Sequence, residues 1–154
     1  MGKNLSYFMR EHKEDIITVP APESFKDENG KRLEMKVKLI SNERIRKINE
    51  SYRKRSVALD SKGNPYISNG EVLFKTEYDA NKAYRHIIAE ALVEPDLTDK
   101  ELMAFYNCYD KVEMVLKVFS EPGEYSYVFD TVMSALGIIN NDKEDDELVE
   151  EAKN

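Results

Sequence analysis

The sequence predicts a mainly α fold: a compact helical bundle with an N-terminal β-hairpin and a disordered acidic C-terminal tail. Three observations predict it. Apolar residues recur at the helical period through Ala80, Ala83, Tyr84, Ile87, Ile88, Ala91 and Leu92, and again through Tyr125, Val128, Phe129, Val132, Met133 and Leu136. Leu33, Met35, Val37 and Leu39 alternate strictly with Glu34, Lys36 and Lys38, the period of a half-buried strand. Residues 140–154 hold seven acids and two lysines, so five of the seven net negative charges sit there. Such a segment has too little apolar surface to offset its ordering entropy. The expected organisation is one domain over residues 1–139, with the β-hairpin at about 15–40 and the helical body at about 41–139, then an acidic tail at 140–154.

Each element has a local reason. Leu5, Phe8 and Met9 are spaced for one helical turn, which Ser6 or Asn4 can cap. Asp15 to Val19 is a β-branched run stopped by Pro20 and Pro22, which suits an edge strand. Asn29-Gly30 is a turn pair that accepts positive φ, and it precedes the alternating strand to complete the hairpin. Ser41 or Asn42 opens a charged helix whose stripe is Ile45, Ile48 and Tyr52. Ser56 to Gly70, with Gly63, Asn64, Pro65, Asn69 and Gly70, reads as a flexible loop. From Thr76 the long stripe to Leu92 is expected to be helical until Pro95. Thr98-Asp99-Lys100-Glu101 is a capping-box pattern for a helix through Leu102, Phe105, Tyr106 and Tyr109. Asp110 caps the next, carrying Val112, Val115, Leu116 and Phe119. Pro122 fits a first helical turn, and Gly137 is the natural stop of the last helix. Tyr84, Ile88, Leu92, Leu102, Leu116, Phe129, Val132 and Leu136 are expected to share the core.

Composition excludes several classes. The 154 residues are 41% hydrophobic and 34% charged, a globular balance with a well-solvated surface. No apolar run reaches the roughly 18 to 20 residues that cross a bilayer, and Met1 to Arg10 lacks a secretion signal. A lone cysteine, Cys108, cannot form an internal disulfide and fits the reducing cytoplasm.

The search for chemistry nominates no catalytic, cofactor-binding or metal-ligating residue, and the expectation is that the protein is not an enzyme. His12 lies among charges and reads as a surface residue. His86, beside Ile87-Ile88, reads as a half-buried structural histidine. Two histidines and one cysteine do not supply the four ligands of a structural zinc site, and Cys108 reads as a small buried hydrophobe. Glycine patterns of nucleotide-binding loops do not occur. The tail lacks the alternating ligands and central glycine of a calcium loop. Glu11 and Glu14 sit at ordinary helix-surface spacing. Arg44, Arg46, Lys47, Arg53, Lys54 and Arg55 form the strongest basic run, but Glu43 and Glu50 interrupt it and the chain's acidity opposes a phosphate backbone.

Four patches resemble, in order, the XkdN-like family of phage tail assembly chaperones. They are Phe25-Lys26-Asp27-Glu28-Asn29-Gly30-Lys31 with the strand after it, the helix leading into Val93-Glu94-Pro95-Asp96-Leu97-Thr98-Asp99-Lys100-Glu101-Leu102, the pair Tyr106-Asn107, and Pro122-Gly123-Glu124-Tyr125 before the last helix. They span roughly Phe25 to Ile139. Asn107 stands where the family tends to have glycine, and Leu136-Gly137-Ile138 where an Asn-Gly pair is common. The resemblance implies a protein of the host cytoplasm that binds the tape-measure protein and keeps it soluble until the tail tube assembles. Tail-tube protein is a second candidate partner. The competing readings are a nucleic-acid-binding phage regulator and a structural tail or head-joining component.

Overall fold

The chain is a mixed α/β protein, which corrects the mainly α expectation: among the described residues strands recur along most of the length and form three separate sheets. The structure, a computed structural model, describes residues 2–139; the expected acidic tail at 140–154 lies outside the described residues.

A 3-10 turn over Gly2–Phe8 comes first. Strand β1, Ile16–Pro20, pairs antiparallel with β2, Glu34–Lys38, in the register Ile16↔Lys38 to Pro20↔Glu34. The expected alternation is real. Met35 and Val37 are buried, while Glu34 and Lys36 face solvent. The connection turns at Asp27, whose carboxylate accepts from the amides of Asn29 and Lys31 at 2.8 and 2.9 Å. Gly30 takes the positive φ that this turn needs (79°).

Helix α1, Asn42–Ser51, is capped by Ser41, whose hydroxyl accepts from the Arg44 amide. Its stripe buries Ile48 against the core, with Ile45 and Tyr52 packed beside it. Helix α2, Ala80–Ala91, is capped by Asp79 and buries Ala83, Ile87, Ile88, Ala89 and Ala91. Leu92–Glu94 leaves this helix as strand β7, which pairs antiparallel with β2. The sequence expectation carried that helix through Leu92 to Pro95. Leu92 is buried because it is a strand residue, paired with Val37 across the sheet. The sheet order is therefore β1-β2-β7, with β1 at an edge as Pro20 requires.

Three helices close the core. Helix α3, Lys100–Tyr106, is capped by Asp99, not by the Thr98 of the expected capping box; the Thr98 hydroxyl donates instead to Asp96. Asn107 ends it with a φ of 49°, a left-handed position that asparagine tolerates. Helix α4, Lys111–Val118, is capped by Asp110 and buries Val112, Met114, Val115 and Val118. Helix α5, Pro122–Ala135, has Pro122 in its first turn and a reciprocal capping box between Glu121 and Glu124. Phe119 is the large buried ring, and it meets Phe25 edge-on at 5.6 Å. Of the residues expected in the core, Ile88, Leu92 and Val132 are buried. Tyr84, Leu102, Phe129 and Leu136 pack against them from partly exposed positions, and Leu116 is turned to solvent.

The largest departure lies between α1 and α2. The segment expected to be a helix end, a loop and a helix start is a β arm. Strand β3, Arg53–Val57, pairs antiparallel with β6, Phe74–Tyr78, and beyond that ribbon lies a short hairpin of β4, Ile67–Ser68, and β5, Glu71–Val72. Asp60 rebuilds the Asp27 turn almost bond for bond: its carboxylate accepts from the amides of Lys62 and Asn64, both at 2.9 Å, around Gly63. Asn69 and Gly70 both have positive φ, 52° and 79°, as a two-residue hairpin turn demands. The amides of Ala58, Tyr66 and Leu73 donate in a ring to the carbonyls of Leu73, Ala58 and Tyr66, which ties the hairpins together.

Candidate functional site

The groups that carry chemistry in other proteins are used here for structure. His12 faces solvent, with Nε2 2.6 Å from the Leu39 carbonyl oxygen. Nδ1 of His86 lies 2.7 Å from the Tyr52 hydroxyl, and its Nε2 lies 3.9 Å from Glu90, too far for a hydrogen bond. Burial, reinforced by the nearby Lys111 ammonium, holds the His86 pKa below its ordinary value, so the ring is neutral at pH 7. Donor and acceptor roles at Nδ1 follow from the ring's tautomer, and Nε2 is buried with no hydrogen-bond partner among the described residues. Cys108 is half-buried, with Sγ 3.6 Å from the Asp110 carbonyl. Glu11 and Glu14 lie outside any helix, so their expected helical spacing does not apply. Among the described residues no group of histidine, cysteine and carboxylate side chains is placed to hold a metal ion, and no helix is long and apolar enough to cross a membrane.

Four of the six residues of the basic run, Arg44, Lys47, Arg53 and Arg55, have a partner. Arg44 makes a two-pronged pair with Glu90, Nε to Oε2 at 2.7 Å and Nη2 to Oε1 at 2.5 Å. This pair is the main cause of the lowered Glu90 pKa. Lys47 lies near Glu43 and Arg53 near Glu50. Arg53, Lys54 and Arg55 stand on β3, where the guanidinium groups of Arg53 and Arg55 lie over the rings of Tyr78 and Phe74 at 4.9 and 4.1 Å.

What remains is exposed apolar surface, concentrated on the arm. None of residues 53–78 is buried, yet Leu59, Tyr66, Ile67, Val72, Leu73, Phe74 and Tyr78 all lie there in the open. Leu59 and Ile67 are 60% and 63% exposed, far more than a strand that contributes to a core allows. Tyr78 is anchored to α1 through the Asn49 side chain (3.0 Å), and the Asp79 amide donates to the Tyr52 carbonyl (3.1 Å), so the arm springs from a closed root. Among the described residues, exposed apolar side chains elsewhere include Leu5, Tyr7, Phe8 and Met9 near the N-terminus, and Phe105 and Tyr109 at the end of α3. Exposed patches of this kind mark contact with other macromolecules. Sequence reasoning missed the arm, although Asp60 to Gly63 repeats the spacing of Asp27 to Gly30 and Asn69-Gly70 is a hairpin signal.

The comparisons with known proteins agree with a binding role. The family model for phage XkdN-like tail assembly chaperone proteins matches residues 5–153. The chain belongs to this family. It is 29% identical over 153 residues to the phage-like element PBSX protein XkdN of Bacillus subtilis (strain 168), covering 98% of this chain and 94% of that protein. It is equally 29% identical over 153 residues to the YqbN protein of the same strain, covering 98% and 93%. The crystal structure of YqbN is similar in fold, with a TM-score of 0.63 over 86% of this chain and 94% of that one, at 24% identity. The family is one of assembly chaperones, so its partners are sought among phage tail components.

Proposed function

We propose that this chaperone binds the tape-measure protein of its phage in the host cytoplasm and keeps it soluble until the tail tube assembles, with the β arm as the client surface. The observation that carries this reading is the arm's unburied apolar content, set out in front of a body whose own core is complete without it. A long apolar client offers amphipathic segments whose burial against Leu59, Tyr66, Ile67 and Leu73 removes apolar area from both partners. Because the arm has no core of its own, its surface can adapt to different segments and release them when tube subunits compete.

Co-expression with the tape-measure protein tests the reading. The native chain is expected to keep the client in the soluble fraction, through a complex that persists in high salt because it rests on apolar contact. Leu59→Asp with Ile67→Asp should send the client to the pellet while the chaperone itself stays folded. If the native chain leaves the client insoluble, the reading fails; if the double variant protects as well as the native chain, the arm is not the client surface.

A further inference from the structure

The ribbon at the base of the arm has a self-complementary edge. Strand β6 reads Phe74-Lys75-Thr76-Glu77-Tyr78 and has β3 as its neighbour on one side, with no second strand among the described residues on the other. The hydrogen bonds flanking the ribbon fix which residues face that open side. Asp79 donates to the Tyr52 carbonyl and Ala58 donates to the Leu73 carbonyl. In an antiparallel ladder bonded pairs alternate with non-bonded ones, so in the register Arg53↔Tyr78 to Val57↔Phe74 residues 75 and 77 turn their amide groups to β3. Phe74, Thr76 and Tyr78 turn theirs to the open edge.

We propose that β6 pairs antiparallel with β6 of a second copy about a two-fold axis at Thr76, joining two arms into one four-stranded sheet in the order β3, β6, β6, β3. Two observations converge on that register. Thr76 is an outward-facing residue, so the two copies of Thr76 can exchange both backbone bonds across the axis, and Phe74 and Tyr78 continue the ladder on either side. The side chains match as well: Phe74 meets Tyr78 of the second copy, Thr76 meets Thr76, and Lys75 meets Glu77. Aromatic, threonine and opposite-charge pairs are the cross-strand combinations that stabilise antiparallel sheets. Lys75 and Glu77 already lie 3.0 Å apart within one strand, so pairing turns one ion pair into an alternating array of four charges. The same operation on the β3 edge sets Arg55 against Arg55, which selects β6 as the joining strand.

Two-stranded ribbons are marginal in water, and sheets of three or more strands with an apolar face are not. On one face of the proposed sheet the Arg55–Phe74 and Arg53–Tyr78 stacks of each arm would abut those of the other. It leaves Leu59 and Ile67, in the hairpins beyond the ribbon, free for a client, and it stands whether or not that client is the tape-measure protein.

Sedimentation velocity over a concentration series tests it, on the full chain without client. The native protein is expected to pass from monomer to dimer as concentration rises. Lys75→Glu and Glu77→Lys should each weaken self-association about tenfold, because each sets like charges against each other twice across the axis. An equimolar mixture of the two variants should recover the dimer, since each glutamate-only strand then faces a lysine-only strand. Thr76→Pro should abolish the dimer without disturbing the β3 ladder, as its amide faces outward. A native protein that stays monomeric up to its solubility limit overturns the proposal. So does a dimer indifferent to both charge variants, or one that the mixture fails to restore.

Discussion

The Tyr52 hydroxyl and the His86 imidazole meet at 2.7 Å, joining the end of α1 to the middle of α2 just beneath the root of the arm. The ring plane of His86 stands edge-on to that of Tyr52, with centroids 5.6 Å apart. Arg44 from α1, Asp79, Arg85 and Glu90 from the cap and body of α2, and Asp110 and Lys111 from the start of α4 surround this contact. A neutral histidine is thus built into the joint between the arm and the body.

Stability should therefore fall in two steps on acidification. His86 has a folded pKa below its unfolded value of about 6.5, so the unfolded chain takes up the proton first as pH drops. Stability declines from about pH 6.5 down to the folded value and then levels. The Glu90 carboxylate, held low chiefly by Arg44, contributes stability that is present above about pH 4.3 and lost as pH falls through its folded value. Thermal melts across this range should show both legs in the native protein. In His86→Gln the upper leg should vanish and the lower one stay. An unchanged upper leg would place the titration elsewhere.

Removing the arm should leave the body standing. Replacing residues 53–78 with a short Gly-Ser linker joins Tyr52 to Asp79, whose backbones are already hydrogen-bonded. None of the deleted side chains is buried, so the far-ultraviolet spectrum of the helices and the melting temperature should change little. A fall of more than about 8 °C, worth over 1 kcal/mol for a body of this size, would show that the arm supports the core.

The core itself should distinguish two neighbours in sequence. Phe119→Ala removes a buried ring and is expected to cost about 3 to 5 kcal/mol in denaturant unfolding. Leu116→Ala, at a position 39% exposed, should cost under about 1 kcal/mol. Equal losses at the two sites would contradict the orientation of α4.

The start of α3 offers a third check on assignment. Asp99 accepts from the Leu102 amide at 3.0 Å, so Asp99→Ala should cost about 1 kcal/mol. Thr98→Ala removes a hydroxyl bonded to Asp96 outside the helix and should cost less. The reverse order, read by the same unfolding experiment, would restore Thr98 as the cap.

What the sequence revealed and what it hid follow from the range of the forces involved. Caps, turns and amphipathic stripes are local, which is why Ser41, Asp110, Pro122 and the Met35–Val37 alternation were legible. Strand β7 was hidden because Leu92 continues the apolar period of α2, and only pairing with the distant Val37 tells strand from helix there. The arm was hidden for the opposite reason: its strands contribute to no core, so Lys54 to Val57 and Phe74 to Tyr78 lack the buried alternation by which strands are recognised. Its glycines and asparagines then read as loop, although Gly63 and the pair Asn69-Gly70 mark turns. The apolar surface was hidden with it, since exposure of Leu59 and Ile67 depends on where the ribbon points. At Leu116 a helical period placed the right residue type on the wrong side of its helix.

The position of β2 in the middle of its sheet has a consequence for how the protein is made. Its neighbours come from opposite directions along the chain: β1 is synthesised shortly before it, whereas β7 emerges only after α1, the arm and α2. A growing chain that has not reached Leu92 carries β2 with one side unpaired and Met35 and Val37 lacking the helices that later cover them. The long loop that must close to bring β7 home adds to the entropic cost of this pairing. The chain thus passes through an interval on the ribosome in which its own central strand is open to mispairing.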